Sequence, residues 1–138
     1  MDGSPVLKST SRTDAEASLQ GIRWGIIGFG TLTGLVASFA AFLLLGIAGV
    51  VSTDQTGPLL VVVYASQLIA GFVAGRFAMK DGALHGGLAG LGLFAVAAAL
   101  AVAGGTDPAI TTIFFSLAIA SVIGSAGGLL ADWRRLER

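Results

Sequence analysis

Few side chains in this sequence could carry out chemistry. The chain of 138 residues has no cysteine and no asparagine, and its single histidine is His85. Without cysteine there can be no disulfides, thiolate metal sites or thiol nucleophiles. No catalytic triad, metal cluster, phosphate-binding loop or carboxylate pair can be assembled. We therefore expect a protein that is not an enzyme, with no catalytic residue, no metal and no cofactor.

Gln67 is the most polar side chain at mid-membrane depth in the sequence. A buried amide in hydrocarbon needs partners, so we expect it to bond to a backbone carbonyl or to a hydroxyl such as Ser38, Ser116 or Ser121. The first interpretation is a packing interaction between helices. The alternative is a polar position in a transport path.

His85 follows Asp81 by four residues, which places both on one face of a helix. A lone histidine at the end of a membrane helix is typical of an interfacial hydrogen-bonding residue. The alternative is a pH-responsive pair of His85 and Asp81 that gates a movement, because histidine titrates near neutrality.

The composition predicts helices that span a membrane. Hydrophobic residues make up 54% of the chain and charged residues 12%, and the mean hydropathy is +0.87, outside the soluble globular range. We predict an all-α fold, a bundle of four transmembrane helices built as two tandem helical hairpins. The predicted segments are a disordered tail over residues 1–12 and a transmembrane domain over 13–138, with helices at about 22–51, 59–79, 83–102 and 109–133.

The distribution of charge predicts the orientation. All eight Lys and Arg residues precede helix 1, lie in the turn between helices 2 and 3, or follow helix 4, whereas the other two loops carry Asp54 and Asp107. The positive-inside rule then predicts a multi-pass protein of the cytoplasmic membrane with both termini in the cytoplasm. The residues assigned to topology and lipid headgroups are Arg23, Arg76, Lys80, Arg134 and Arg135. No base-reading residues are interleaved with these charges, so no nucleic-acid partner is expected.

Small residues recur at intervals of four on every helix. Membrane helices associate by close packing, and small residues permit that approach. The predicted packing residues form glycine-zipper faces: Gly71 and Gly75 on helix 2, Gly82, Gly86 and Gly90 on helix 3, and Gly124 and Gly128 on helix 4. Gln67 shares the helix 2 face by its spacing. These faces either hold the bundle together or leave one ladder, best that of helix 3, for self-association or a partner.

The stretch from residue 71 to 91 resembles the YrzE-like group, a family of small, largely uncharacterised prokaryotic four-helix membrane proteins. The matching residues are Gly71, Ala74, Gly75 and Arg76, then Gly82, His85, Gly86 and Gly90, then Gly124, Gly127 and Gly128. The chain departs from that pattern at its C-terminus, where Trp133, Arg134 and Arg135 make a more basic end. The resemblance implies the four-helix architecture and a prokaryotic source, and it implies no mechanism.

Two functions fit these patterns. The first is a packing, assembly or accessory module in the lipid bilayer that forms a homo-oligomer or binds another membrane protein through the glycine faces of helices 2 and 3. The alternative is a small oligomeric channel, uniporter or holin-like pore with a path past Gln67. The residues identify no small-molecule ligand.

Overall fold

The computed structural model describes residues 22–49 and 56–137. Its elements are the helices α1 (Trp24–Ile47), α2 (Thr56–Phe77), α3 (Gly82–Ala103) and α4 (Ile110–Leu136). Each is long and apolar enough to cross a membrane, since at about 1.5 Å per residue even the shortest spans about 33 Å. The predicted all-α four-helix bundle is confirmed. The predicted tail over residues 1–12 lies outside the described residues.

Glycine and proline decide where the helices end on the side of the α3–α4 loop. Helix α1 ends at Ile47 rather than near residue 51, because Gly49 takes a left-handed conformation with φ +67°. Helix α2 begins at Thr56, earlier than residue 59. Pro58 therefore lies in its first turn, where the N–H that proline lacks would have no helical partner.

On the opposite side, α2 and α3 are joined by a turn of four residues, 78–81. Asp81 completes it with φ 58° and ψ 47°, a left-handed conformation that aspartate tolerates better than most residues. Helix α4 reaches Leu136 instead of ending near residue 133, so Arg134 and Arg135 belong to the helix and not to a tail. We call this end of the bundle the turn end and the opposite one the loop end.

Helices α2 and α3 form a central pair, and α1 and α4 pack on the outside of it. Helices α2 and α3 contact each other, and both α1 and α4 contact each of them. Over the described residues α1 and α4 do not touch. The most extensive interface lies between α3 and α4, so α1 is the more loosely attached of the two outer helices.

Small residues fill the interior, and large ones cover the outside. The buried apolar side chains are mostly alanines: Ala70, Ala74, Ala78, Ala89, Ala120 and Ala131. Phe39, Phe114 and Phe115 are each about two thirds exposed. This distribution fits a solvent that is itself apolar, in which helices associate by close approach and gain nothing from hiding large side chains. The chain is a multi-pass membrane protein.

Candidate functional site

The α3 ladder lies against α4. A Cβ added to Gly86 would lie 2.5 Å from the carbonyl oxygen of Gly124, and one added to Gly90 would lie 2.6 Å from that of Ala120. At the turn end, a Cβ on Gly82 would lie 2.5 Å from the carboxylate of Asp132. All three ladder glycines are buried, so this face is occupied within the bundle and is not presented to a second chain.

Gly124 is the point at which three helices meet. Its carbonyl oxygen blocks a Cβ at Gly71 of α2 and a Cβ at Gly86 of α3. One turn further along, Gly75 packs in the same way on Gly128, whose Cα would lie 2.6 Å from an added Cβ. The glycines predicted to pack on α2, α3 and α4 are therefore brought together in one seam.

Helix α1 is seated on α2 and α3 by two glycines near the turn end. A Cβ on Gly30 would lie 2.8 Å from that of Ala74, and one on Gly34 would lie 2.8 Å from that of Ala70. The Thr31 hydroxyl donates a hydrogen bond to the Ala89 carbonyl at 3.2 Å. The next positions of this row hold Ser38 and then Phe42, so the side chains become larger toward the loop end.

Because the side chains in this row of α1 become larger toward the loop end, α1 is separated there from α2 and α3. The result is a crevice between α1, α2 and α3 with a volume of about 260 Å³. It is lined by Leu35, Ser38, Phe39, Phe42, Val63, Gln67, Leu93, Phe94, Ala97 and Leu100. We call this cavity the Gln67 crevice. Apart from Ser38 and Gln67, its walls are hydrocarbon.

Gln67 is 4% exposed, and its Oε1 accepts no hydrogen bond from the described residues. The expected bond to Ser38, Ser116 or Ser121 is thus not made at this atom, although Ser38 lines the same crevice. An unsatisfied buried acceptor costs about 1–3 kcal/mol. The site therefore contains a buried acceptor that has no donor among the described residues.

Helix geometry explains why Gln67 is separated from the glycines with which it was grouped. Residues four apart on a helix are offset by about 40° around its axis, so eight residues give about 80°. Gly71 and Gly75 consequently face α4, whereas Gln67 faces the gap beside α1 and α3. The four-residue spacing shows which residues form a row along α2, but it does not show which helix each of them contacts.

His85 joins the starts of two helices. The backbone N–H of Arg23, just before α1, donates to Nε2 of His85 at 3.3 Å, and Nδ1 of His85 lies 3.1 Å from the backbone carbonyl of Asp81. These two contacts fit the tautomer in which Nε2 accepts and Nδ1 donates to the Asp81 carbonyl. The contact to Asp81 uses its backbone and not its carboxylate, and the pH-responsive pair of His85 and Asp81 stays a prediction.

The last turn of α4 holds the other helix ends at the turn end. The guanidinium of Arg135 donates to the carbonyl of Gly75 at 2.8 Å and to that of Arg76, which belong to the last turn of α2. Asp132 lies 3.7 Å from Arg135 and points at Gly82, the first residue of α3. Arg135 therefore lies at the C-terminal end of α2, which carries a negative partial charge, and Asp132 lies at the N-terminal end of α3, which carries a positive one. Arg135 was predicted to contact headgroups, and Asp132 was not predicted at all.

The remaining predicted basic residues lie around these contacts. Arg23, Arg76, Lys80 and Arg134 are exposed at the turn end, as are the indoles of Trp24 and Trp133. The described residues hold no cluster of three or more histidine, cysteine or acidic side chains.

Comparison with family models, with curated proteins and with solved structures gives no match to the chain. The YrzE-like resemblance therefore stays a prediction, and the Gln67 crevice is the candidate site.

Proposed function

We propose that this protein is a non-enzymatic membrane protein that binds a small lipid-soluble molecule in the Gln67 crevice. The observation that carries the proposal is that Gln67, whose Oε1 is buried without a donor, lines an open apolar cavity. Sites for small molecules typically combine apolar walls with a few polar groups that fix orientation. Because Oε1 is itself inaccessible, the Gln67 amide would turn toward the crevice to accept a hydrogen bond from a bound hydroxyl or amide N–H.

The dimensions of the crevice favour an apolar body over water alone. A water molecule occupies about 30 Å³ in the liquid, whereas the crevice measures about 260 Å³. Three phenylalanines, Phe39, Phe42 and Phe94, form part of its wall and can contact a branched or planar hydrocarbon. The ligand class is therefore a hydrophobic molecule with one hydrogen-bond donor.

The residues that line the crevice lie in the half of the bundle nearer the loop end, and the proposed orientation decides which leaflet surrounds them. The basic residues Arg23, Arg76, Lys80, Arg134 and Arg135 gather at the turn end, which supports a cytoplasmic location for that end and for both termini. In the cytoplasmic membrane of a prokaryote, the crevice would then receive its ligand from the outer half of the bilayer.

Association with another membrane protein is the second candidate. The glycine faces on which it was predicted are occupied by contacts between the chain's own helices. In this second candidate, a partner or a second copy instead inserts a side chain into the Gln67 crevice. Phe39, 68% exposed at the crevice wall, favours such a contact. An oligomeric pore would likewise have to form between chains.

Native mass spectrometry of the full chain, purified with its membrane lipids in a mild detergent, tests the proposal. We expect one discrete non-protein mass per chain, which Gln67→Leu and the crevice-filling Ala97→Phe release. Tyr64→Phe removes a polar group from the same helix outside the crevice, and it should retain the ligand. Wild-type protein without a bound mass, or Gln67→Leu protein that retains it, would contradict the proposal. A second protein lost with Gln67→Leu would support the second candidate instead.

A further inference from the structure

A second groove lies on the opposite side of α2, between α2 and α4. It has a volume of about 330 Å³ and is lined by Leu68, Ile69, Phe72, Leu130 and Arg134. The first four residues are apolar, and Arg134 stands at the turn end of the groove. We call it the Arg134 groove. One cationic end and an apolar body match the two parts of a membrane lipid.

Arg134 is already held over the groove by an aromatic ring. Its Cζ lies 5.8 Å from the centroid of the Phe72 ring, within the range of a cation–π contact. Arg76 follows Phe72 by four residues and therefore lies on the same face of α2, one turn closer to the membrane surface. By this spacing, Arg76 stands on α2 next to the end of the groove at which Arg134 lies.

The nearby acids do not neutralise these charges. The carboxylate of Asp132 faces Gly82 and pairs with Arg135, on the side of α4 that packs on α3. Within the described part of the chain, neither Arg76 nor Arg134 forms a salt bridge, and this includes Glu137 after the end of α4. Trp133, 61% exposed, marks the depth at which headgroups lie.

We propose that the Arg134 groove binds one anionic phospholipid. Its acyl chain lies along Leu68, Ile69, Phe72 and Leu130, and its phosphate bonds to Arg134 and Arg76. Arginine suits this role because its planar fork of N–H donors matches phosphate oxygens. Arg135 takes no part, since it is bound to the α2 carbonyls. The site is independent of the Gln67 crevice, which lies on the other side of α2.

Spin-labelled lipids test this proposal with the full chain in phosphatidylcholine vesicles. We expect labelled phosphatidylglycerol to associate with the wild-type protein more strongly than labelled phosphatidylcholine. Arg134→Gln and Arg76→Gln should each lower that preference about fivefold, because each removes charge-assisted hydrogen bonds to the phosphate. Lys80→Gln removes a charge from the α2–α3 turn, which does not line the groove, and should change the preference less than about twofold.

A variant without a charge change separates the groove from general surface potential. Leu130→Trp fills the groove, so it should reduce bound phosphatidylglycerol while keeping every arginine. Thermal unfolding in phosphatidylcholine alone checks that each variant is folded. Equal association of the two lipids with the wild-type protein would overturn the proposal. So would a loss in Lys80→Gln as large as that in Arg134→Gln, or unchanged binding in folded Leu130→Trp.

Discussion

Replacing Gly86 by alanine adds one methyl group in the α3–α4 seam, where the backbone of α4 lies directly against it. The new Cβ would lie 2.5 Å from the Gly124 carbonyl oxygen and 2.9 Å from the Cα and N of Gly128. The first distance is 0.9 Å shorter than the 3.4 Å at which ordinary contact begins. Every blocking atom belongs to the backbone, so no side-chain rotation can relieve the overlap, and the helices must separate.

The magnitude follows from two opposing effects. Overpacking of this kind costs about 1–3 kcal/mol, whereas alanine gains up to about 1 kcal/mol over glycine in helix propensity. Gly28 in α1 provides the matched control, because a Cβ there meets nothing within 4 Å. The propensity gain is shared by both variants. The difference between them, about 1–3 kcal/mol in favour of Gly28→Ala, isolates the steric cost of the seam.

Reversible unfolding in mixed micelles, followed by circular dichroism, measures the free energy of unfolding of both variants. Gly28→Ala should lie within about 0.5 kcal/mol of the wild-type protein or above it. Gly86→Ala should be clearly less stable. Equal stability of the two variants would refute the conclusion that α3 and α4 approach through backbone contact at Gly86.

Four further changes can be measured in the same unfolding assay. Gln67→Leu in ligand-free protein should raise the free energy of unfolding by about 1 kcal/mol, since it removes a buried acceptor without a partner. A lower free energy of unfolding would show that Gln67 stabilises the packing of the helices. His85→Phe should cost about 1–3 kcal/mol, because the Arg23 N–H loses its acceptor, and His85→Gln should recover part of it. Arg135→Gln should cost about 1 kcal/mol through the freed α2 carbonyls, and the exposed Lys80→Gln should cost nothing measurable. Asp81→Gly should add about 1 kcal/mol by relieving the left-handed backbone, and unchanged stability would show that Asp81 is not strained.

The sequence was sufficient for the number of helices and for the residues that pack. Lipid requires about 20 apolar residues per span, and close approach requires small side chains, so both properties are visible locally. Glycine spacing could not show which faces pair, because that depends on how the helices are rotated relative to each other. The α3 ladder looked available for a partner, yet it is covered by α4.

The contacts of Arg135 and Asp132 depend on where α4 ends. The predicted end of α4 near residue 133 leaves Arg134 and Arg135 in a tail and gives Asp132 no role. Because α4 reaches Leu136, Arg135 instead contacts the last turn of α2. A signal was present in the unpaired carbonyls that every helix end leaves, which require donors from elsewhere. The Gln67 crevice results from the increase in side-chain size along α1. This increase predicts a crevice only when the helices that pack against α1 are known.

Site-specific photo-crosslinking in the native membrane tests the central claim, that the Gln67 crevice holds a lipid-soluble ligand. A benzophenone side chain replaces Phe39 in the crevice wall, and in a control protein it replaces Phe115, which is 71% exposed on α4. After irradiation, intact-mass measurement should show one discrete small adduct at position 39, lost with Gln67→Leu, and a mixture of bulk phospholipids at position 115. The same phospholipid mixture at both positions would contradict the claim.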